Sequence, residues 1–468
     1  MTRPSIGLRW AAVLIPGVLL YFLPAPGLSG AQRHLLAVFA ATIVSLAAQP
    51  VPMAVSVVVA MATLALTGAL PGAQVLTGFS NPTVWLIFTA FLFARAVTVT
   101  SLGRRVAYLF IQRFGRSALT LGYSMAGANL VMAPFVPSDT ARGGGIVFPI
   151  TRSLAQVFGS EPGPTANRLG TFLMLSAFHT NYTVSAMFLT GMAANALIAE
   201  LARKIAHVDL TWGNWALAAS LPGLLTLALA PYVIYRLHPP EVRDTQAARA
   251  HAAEALAQMG PMSRREITLS LIFLAVMGGW VASPWHGVNN TIVALAGISA
   301  ILLCRVVTWD ELLSEGRAWD ALIWFGPLVM MSDALTESGV IRILSSALFQ
   351  GMRGWSWPMA AVALAVAYLY LHYAFASLTA HVMALYPSFL AAGVAAGAPP
   401  LAMALVLAFF SSLNAAMTHY GTGSAPVFFG AGYVAQGTWW RLGLLLSLMN
   451  LVIWLGFGPL WWKALGMW

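Results

Sequence analysis

The chain has 468 residues, 59% of them hydrophobic and only 8% charged, with a formal net charge of +10. Its mean hydropathy of +0.79 excludes an ordinary soluble enzyme, in which about 25% of residues are charged, and points to a polytopic membrane protein. The basic residues sit at segment ends, as loop arginines that orient membrane helices do, rather than in a nucleic-acid-binding patch. The single cysteine, Cys304, excludes an intrachain disulfide framework.

Residues 2–9 and the apolar run 10–22 resemble a signal peptide. No small-x-small cleavage site follows, so the segment reads as a retained first helix. The first expected spans are 8–23, 35–48, 53–70 and 84–100, the last carrying Arg95, which reads as structural. A polar link over 104–116 holds Arg104, Arg105, Arg113 and Arg116.

Two apolar arms, 119–132 and 146–157, are each too short to cross a hydrocarbon core of about 30 Å. Between them stand Pro134, Pro137, Gly143, Gly144 and Gly145, which should stop any continuous helix. The economical reading is a re-entrant hairpin with Ser138, Asp139 and Thr140 at its tip. Unpaired backbone at membrane depth is tolerated only where protein or a wet cavity surrounds it, so the tip is a candidate site.

The chain continues with a long segment, 168–201, interrupted at Thr190, Gly191 and Asn195, and then a span over 212–235. The one long polar stretch, 238–266, joins the halves, with a surface helix over 244–259. The second half repeats the plan with spans 267–281, 291–306 and 318–335. A second hairpin follows, its arms 358–371 and 382–394 enclosing a tip at Ser377, Leu378 and Thr379. A helix over 401–432, broken around Thr422, Gly423 and Ser424, precedes a last span at 440–462.

Both tips read Ser-x-Thr-Ala followed by a basic residue, Arg142 or His381. Trp85 lies 53 positions before Ser138, and Trp324 lies 53 before Ser377. Shared spacing makes this an internal repeat, the pattern of a secondary transporter. The expected fold is all-α, with about 11 transmembrane helices and two re-entrant hairpins in two inverted repeats. Two tips and two breaks would converge near the midplane, where half-helix N-termini attract anions.

With the N-terminus cytoplasmic, Arg33, Arg203, Lys204, Arg342, Arg353 and Lys463 fall outside, Arg95 and Arg142 within the membrane, and the other basic residues inside. That distribution obeys the positive-inside rule and makes the two hairpins enter from opposite sides. Beside a bound anion, Asp139 must be neutralised, by Arg142 three residues on or by a proton. His372 and His419 read as core histidines, and no cluster has metal-ligand spacing, so neither metal nor cofactor is expected.

Pro137, Ser138, Asp139, Thr140, Ala141 and Arg142 with Gly144, Gly145 and Ile146 resemble the first Ser-Asn-Thr hairpin signature of the divalent anion:sodium symporter (DASS) family. Phe375, Ala376, Ser377, Leu378, Thr379, Ala380 and His381 resemble the second. The run from Thr418 to Pro426, with Gly432, Tyr433, Val434 and the sequence from Trp439 to Gly443, is similar to the citrate/succinate antiporter and 2-oxoglutarate/malate translocator branch. The likeness runs from about Val84 to the C-terminus. Asp139 replaces the usual Asn, and Leu378 stands where the symporters have their second.

The resemblance implies a homodimer in the inner (plasma) membrane that works by an elevator mechanism. Scaffold helices would occupy 1–118 and 203–356, and transport helices 119–202 and 357–468. It further implies that Ser138, Asp139, Thr140, Ser377, Leu378 and Thr379 line a site for citrate, succinate, malate, tartrate or 2-oxoglutarate. From the residues themselves, Thr190, Gly191, Asn195, Thr422, Gly423 and Ser424 at the breaks are expected to complete the site, and Arg142 and His381 to supply the charge that sodium would otherwise bring. A sodium-coupled dicarboxylate symporter of the same fold is the alternative. A membrane serine hydrolase using Ser377 or Ser138 with His381 is remote, because no Asp or Glu lies between Ala361 and the C-terminus to orient that histidine.

Overall fold

The computed structural model describes residues 5–22 and 27–467, which are helical with no β-strand among them. The first three residues of the basic stretch 2–9, Thr2 to Pro4, and Leu23 at the end of the first expected span lie outside the described residues. Among the described residues six helices are long and apolar enough to cross a membrane: Gly30–Ala48, Pro82–Val99, Trp212–Leu237, Trp357–Ala374, Leu378–Ala395 and Gln436–Ala464. Shorter apolar helices include Ile6–Phe22, Met53–Leu66 and Asn290–Leu303. Local chemistry sets the starts: Ser29 with Gln32, Ser117 with Thr120 and Ser263 with Glu266 each form a reciprocal capping box.

The element order is the same in both halves. A long helix (Pro82–Val99 or Gly316–Glu337) leads to an amphipathic one (Leu102–Phe114 or Val340–Gln350). A hairpin, a broken helix and a long final helix follow. Here the structure corrects the expected polar link. Residues 104–116 are mostly helical because Ala107, Tyr108 and Ile111 share a buried face, while Arg104 and Arg113 are exposed.

The chain forms two compact units, each discontinuous in sequence. The first comprises residues up to 88 with 196–210 and 316–407. In it Gly316–Glu337 packs on Met53–Leu66 and on the turn Thr77–Ser80. A Cβ at Gly78 would overlap the backbone of Gly326, so only glycine allows this approach. Glu200 accepts from Asn81 at 3.1 Å and pairs with Arg203 at 2.7 Å and Lys204 at 2.9 Å, and Lys204 also bridges to Asp333.

The second unit comprises residues 89–195, 211–315 and 408–468. Its centre is the helix Gly170–Met187, buried along its whole length and packed by Ala118–Met132, Phe148–Val157 and Trp212–Leu237. The surface helix predicted over 244–259 is Gln246–Met259, lying on Leu102–Phe114. Buried Arg105 pairs with Glu266 at 2.6 Å and donates to the carbonyl of Gly260 at 2.9 Å, clamping the end of that linker.

Candidate functional site

Both tips are built alike. The first arm of hairpin one, Ala118–Met132, gives way to irregular chain holding Pro134 and Pro137, which lack an N–H. Ser138, in an extended conformation, then caps a new helix by accepting from the amide of Ala141 at 3.1 Å. In hairpin two, Trp357–Leu371 ends in a 3-10 turn, His372–Ala374. Ser377 caps Leu378–Ala395 by accepting from Ala380 at 3.3 Å. Each serine satisfies one amide of its first turn. The amides of Asp139 and Thr140, and of Leu378 and Thr379, have no partner within their helices.

The three glycines do not stop the helix, contrary to expectation. It restarts at Asp139 and runs through a π-helical turn, Gly143–Val147, into Phe148–Val157. A Cβ at Gly143 would overlap the side-chain nitrogen of Asn181, so the glycine lets the tip lie directly on the central helix.

In the second unit, tip one meets the second helix break. The helix Pro400–Leu413 ends in a 3-10 turn, Asn414–Ala416, and irregular chain leads to Ala425–Gly430. From that irregular chain Ser424 donates to Asp139 Oδ2 at 3.0 Å, and the Thr422 hydroxyl donates to the same oxygen. A Cβ at Gly423 would overlap Oγ1 of Thr140. Five expected site residues, Asp139, Thr140, Thr422, Gly423 and Ser424, are therefore brought together.

Arg142 turns away from Asp139. Its guanidinium is fully buried, with Nε donating to Asn129 Oδ1 at 2.8 Å. Nη1 donates to the carbonyls of Val136 at 2.7 Å and Gly191 at 3.0 Å. Nη2 donates to the carbonyl of Asn181 at 3.1 Å and to the Ser185 hydroxyl. All five N–H donors are used, every acceptor is neutral, and Arg142 forms no salt bridge among the described residues. The cation thus ties the approach to tip one to the first helix break through neutral acceptors.

The residues of the first break serve the backbone. Thr190 donates to the Pro134 carbonyl at 2.7 Å and accepts from Trp212 at 3.0 Å. Asn195 donates to the carbonyls of Ser185 and Phe188, each at 2.8 Å, holding the unwound turn between Met187 and Ala193. Gly191 contributes its carbonyl to Arg142.

In the first unit, Leu378 is buried, while Ser377 and Thr379 are partly exposed at tip two. His381 is fully buried within an aromatic cage. Its ring lies 4.3 Å from Tyr368, 4.9 Å from His372 and 5.3 Å from Phe375, measured between centroids. Neither of its nitrogens has a hydrogen-bond partner among the described residues.

Asn129, Asn181 and Ser185 were not singled out from sequence, yet they contact Arg142 and the first tip. The available signal was polar density inside an apolar run: Ser176, His179, Thr180, Asn181, Tyr182, Thr183 and Ser185 fall within ten residues. Among the described residues no group of three or more His, Cys, Asp or Glu could hold a metal ion.

Residues 7–468 match the family described as "Sodium:sulfate symporter transmembrane region". The chain is 48% identical to the "Putative malate transporter YflS" of Bacillus subtilis, over all of both chains. It is 42% identical to the "Dicarboxylate transporter 1, chloroplastic" of Arabidopsis thaliana, covering 98% of this chain and 83% of that one. It is 36% identical to the "Inner membrane protein YbhI" of Escherichia coli, over 98% of each. In fold it resembles the YdaH transporter of Alcanivorax borkumensis, with a TM-score of 0.57 at 17% identity over 84% of this chain and 87% of that one. It also resembles MtrF of Neisseria gonorrhoeae, with a TM-score of 0.59 at 12% identity over 97% and 94%.

Proposed function

Because the chain belongs to the sodium:sulfate symporter family, in its dicarboxylate-transporting branch, we propose that it exchanges small dicarboxylates across the membrane without sodium. It is an integral membrane transporter and not an enzyme. The observation that carries the exchange reading is the state of Arg142. It is a buried cation three residues past the tip, and its donors are all satisfied by neutral oxygens. Its charge is therefore available to an anion at the tip, and electrostatic stabilisation depends on where a charge sits rather than on what carries it.

Ser138 and Ser377 each shape a helix start whose first amides and neighbouring threonine hydroxyl suit a carboxylate oxygen. Thr140 and Thr379 supply the hydroxyls. His381 is the equivalent residue of the second tip, held among the rings of Tyr368, His372 and Phe375. Moving the buried charges of the tips through an apolar barrier without a bound anion is costly. Return then requires a counter-anion, so transport is obligatory antiport. The same reading takes the protein as a cytoplasmic-membrane homodimer with its N-terminus inside, moving its transport helices as an elevator.

The relatives named for malate and dicarboxylates favour four-carbon acids over sulfate. Purified protein in vesicles loaded with unlabelled malate should take up labelled malate. Internal succinate, citrate, tartrate and 2-oxoglutarate, tested in turn, rank the substrates. Uptake supported by internal sulfate and by none of these acids would overturn the dicarboxylate reading.

A further inference from the structure

Asn181 lies in mid-helix, where asparagine is a poor helix former, and is fully buried. A buried amide is retained only where its donors and acceptor are used. Its nitrogen donates to the backbone carbonyl of Asp139 at 2.9 Å and reaches the Ser424 hydroxyl at 3.5 Å. Its oxygen accepts from Asn129 at 3.4 Å, and its own carbonyl accepts from Arg142 at 3.1 Å and Ser185 at 2.9 Å. One amide group therefore touches both the first hairpin tip and the second helix break. The Asp139 carboxylate, which receives Ser424 and Thr422, closes a second tie between the same segments.

We infer that Asn181 is a positioning residue for substrate: it sets the spacing between the first-turn amides of tip one and the hydroxyls of the second break. This rests on the reading of tip one as a carboxylate site. Apolar packing alone does not account for the residue. A leucine of similar size would leave the Asp139 carbonyl without this donor and would offer Ser424 nothing. Gly143 supports the same conclusion from the other side, since any Cβ there would push Asn181 off the tip. With the spacing held before substrate arrives, binding loses less freedom, and the gain appears in affinity rather than in the movement that follows.

Asn181→Leu tests this at similar volume without adding charge. The side chain loses the acceptor for Asn129 and the donors to Asp139 and Ser424. Gly143→Ala, which displaces the amide without removing it, is the second variant and carries the test if the first does not fold. In malate-loaded vesicles, the half-saturating concentration of labelled malate should rise about tenfold or more, equivalent to about 1.4 kcal/mol, while the maximal rate stays within about threefold. A lower maximal rate with unchanged half-saturation would show a merely structural role and overturn the inference.

Hydrogen–deuterium exchange gives a readout without substrate. Amides of residues 137–145 and 417–426 should exchange faster together in the variant, and unchanged protection of both segments would overturn the tie. If the wild-type protein exchanges no dicarboxylate, the functional reading fails, and this second measurement still decides on Asn181.

Discussion

Ser424 donates a 3.0 Å hydrogen bond to Asp139, a residue 285 positions earlier in the chain. With the Thr422 hydroxyl on the same oxygen, it gives the carboxylate of the first tip polar partners without an ion pair. The buried oxygen of Asp139 is thereby directed to donors of the second break.

Replacing that carboxylate separates its charge from its geometry. In Asp139→Asn the amide oxygen can still accept from one hydroxyl, so exchange should persist. In Asp139→Ala both hydroxyls lose their acceptor, and an unsatisfied buried donor costs about 1–3 kcal/mol. Exchange rates across pH and thermal unfolding of both variants check this. Loss of transport at every pH in the Asn variant would give the carboxylate a direct chemical role.

Thr140→Ala and Thr379→Ala each remove a hydroxyl from a tip. A hydrogen bond to a charged ligand contributes about 1.5–3 kcal/mol, so the half-saturating malate concentration should rise by about 10- to 150-fold. Expression should be unaffected. Wild-type affinity in both variants would remove the tips from the binding site.

Arg142→Lys keeps the charge but offers three donors where five are used. We expect a less stable protein that still exchanges without sodium. Arg142→Ala and His381→Ala should each strongly reduce exchange. Thermal unfolding and exchange measured on the same preparations separate the two effects. Equal exchange by the Lys and Ala variants would show that charge at position 142 is irrelevant.

Away from the tips, Arg105 and Glu266 form a buried pair at 2.6 Å. Removing either partner should cost about 3–5 kcal/mol, because the other charge is left buried and alone. The double substitution Arg105→Met with Glu266→Met should be less damaging than the sum of the single ones. Unfolding in detergent gives the double-mutant cycle, and strict additivity would mean that the pair is not coupled.

Much of the architecture was legible because proline and glycine punctuate it. Pro134, Pro137 and the Ser-x-Thr-Ala repeat marked both tips, and Thr190 to Asn195 and Thr418 to Pro426 marked both breaks. The helix Leu102–Phe114 was obscured by its four-arginine neighbourhood, although Ala107, Tyr108 and Ile111 carried its helical period. The Gly143–Val147 turn was misread because glycine weakens helices in general, whereas here its missing Cβ permits contact with Asn181.

Local spacing also suggested that Arg142, or else a bound proton, neutralises Asp139. The hydrogen bonds that Asp139 receives from Thr422 and Ser424 are long-range, and such partners leave no trace in spacing. Asn129 and Asn181 were hidden for the same reason, each a lone polar residue in a helix whose tertiary partners decide its use.

If Arg142 at tip one, with its counterpart His381 at tip two, takes the place of sodium, the carrier is an exchanger. Uptake of labelled malate should be measured in vesicles either loaded with malate or free of dicarboxylate, each with and without an inward sodium gradient. Uptake should be rapid into loaded vesicles whether or not sodium is present, and absent from empty ones. Sodium-driven uptake into dicarboxylate-free vesicles would contradict it and make the protein a symporter.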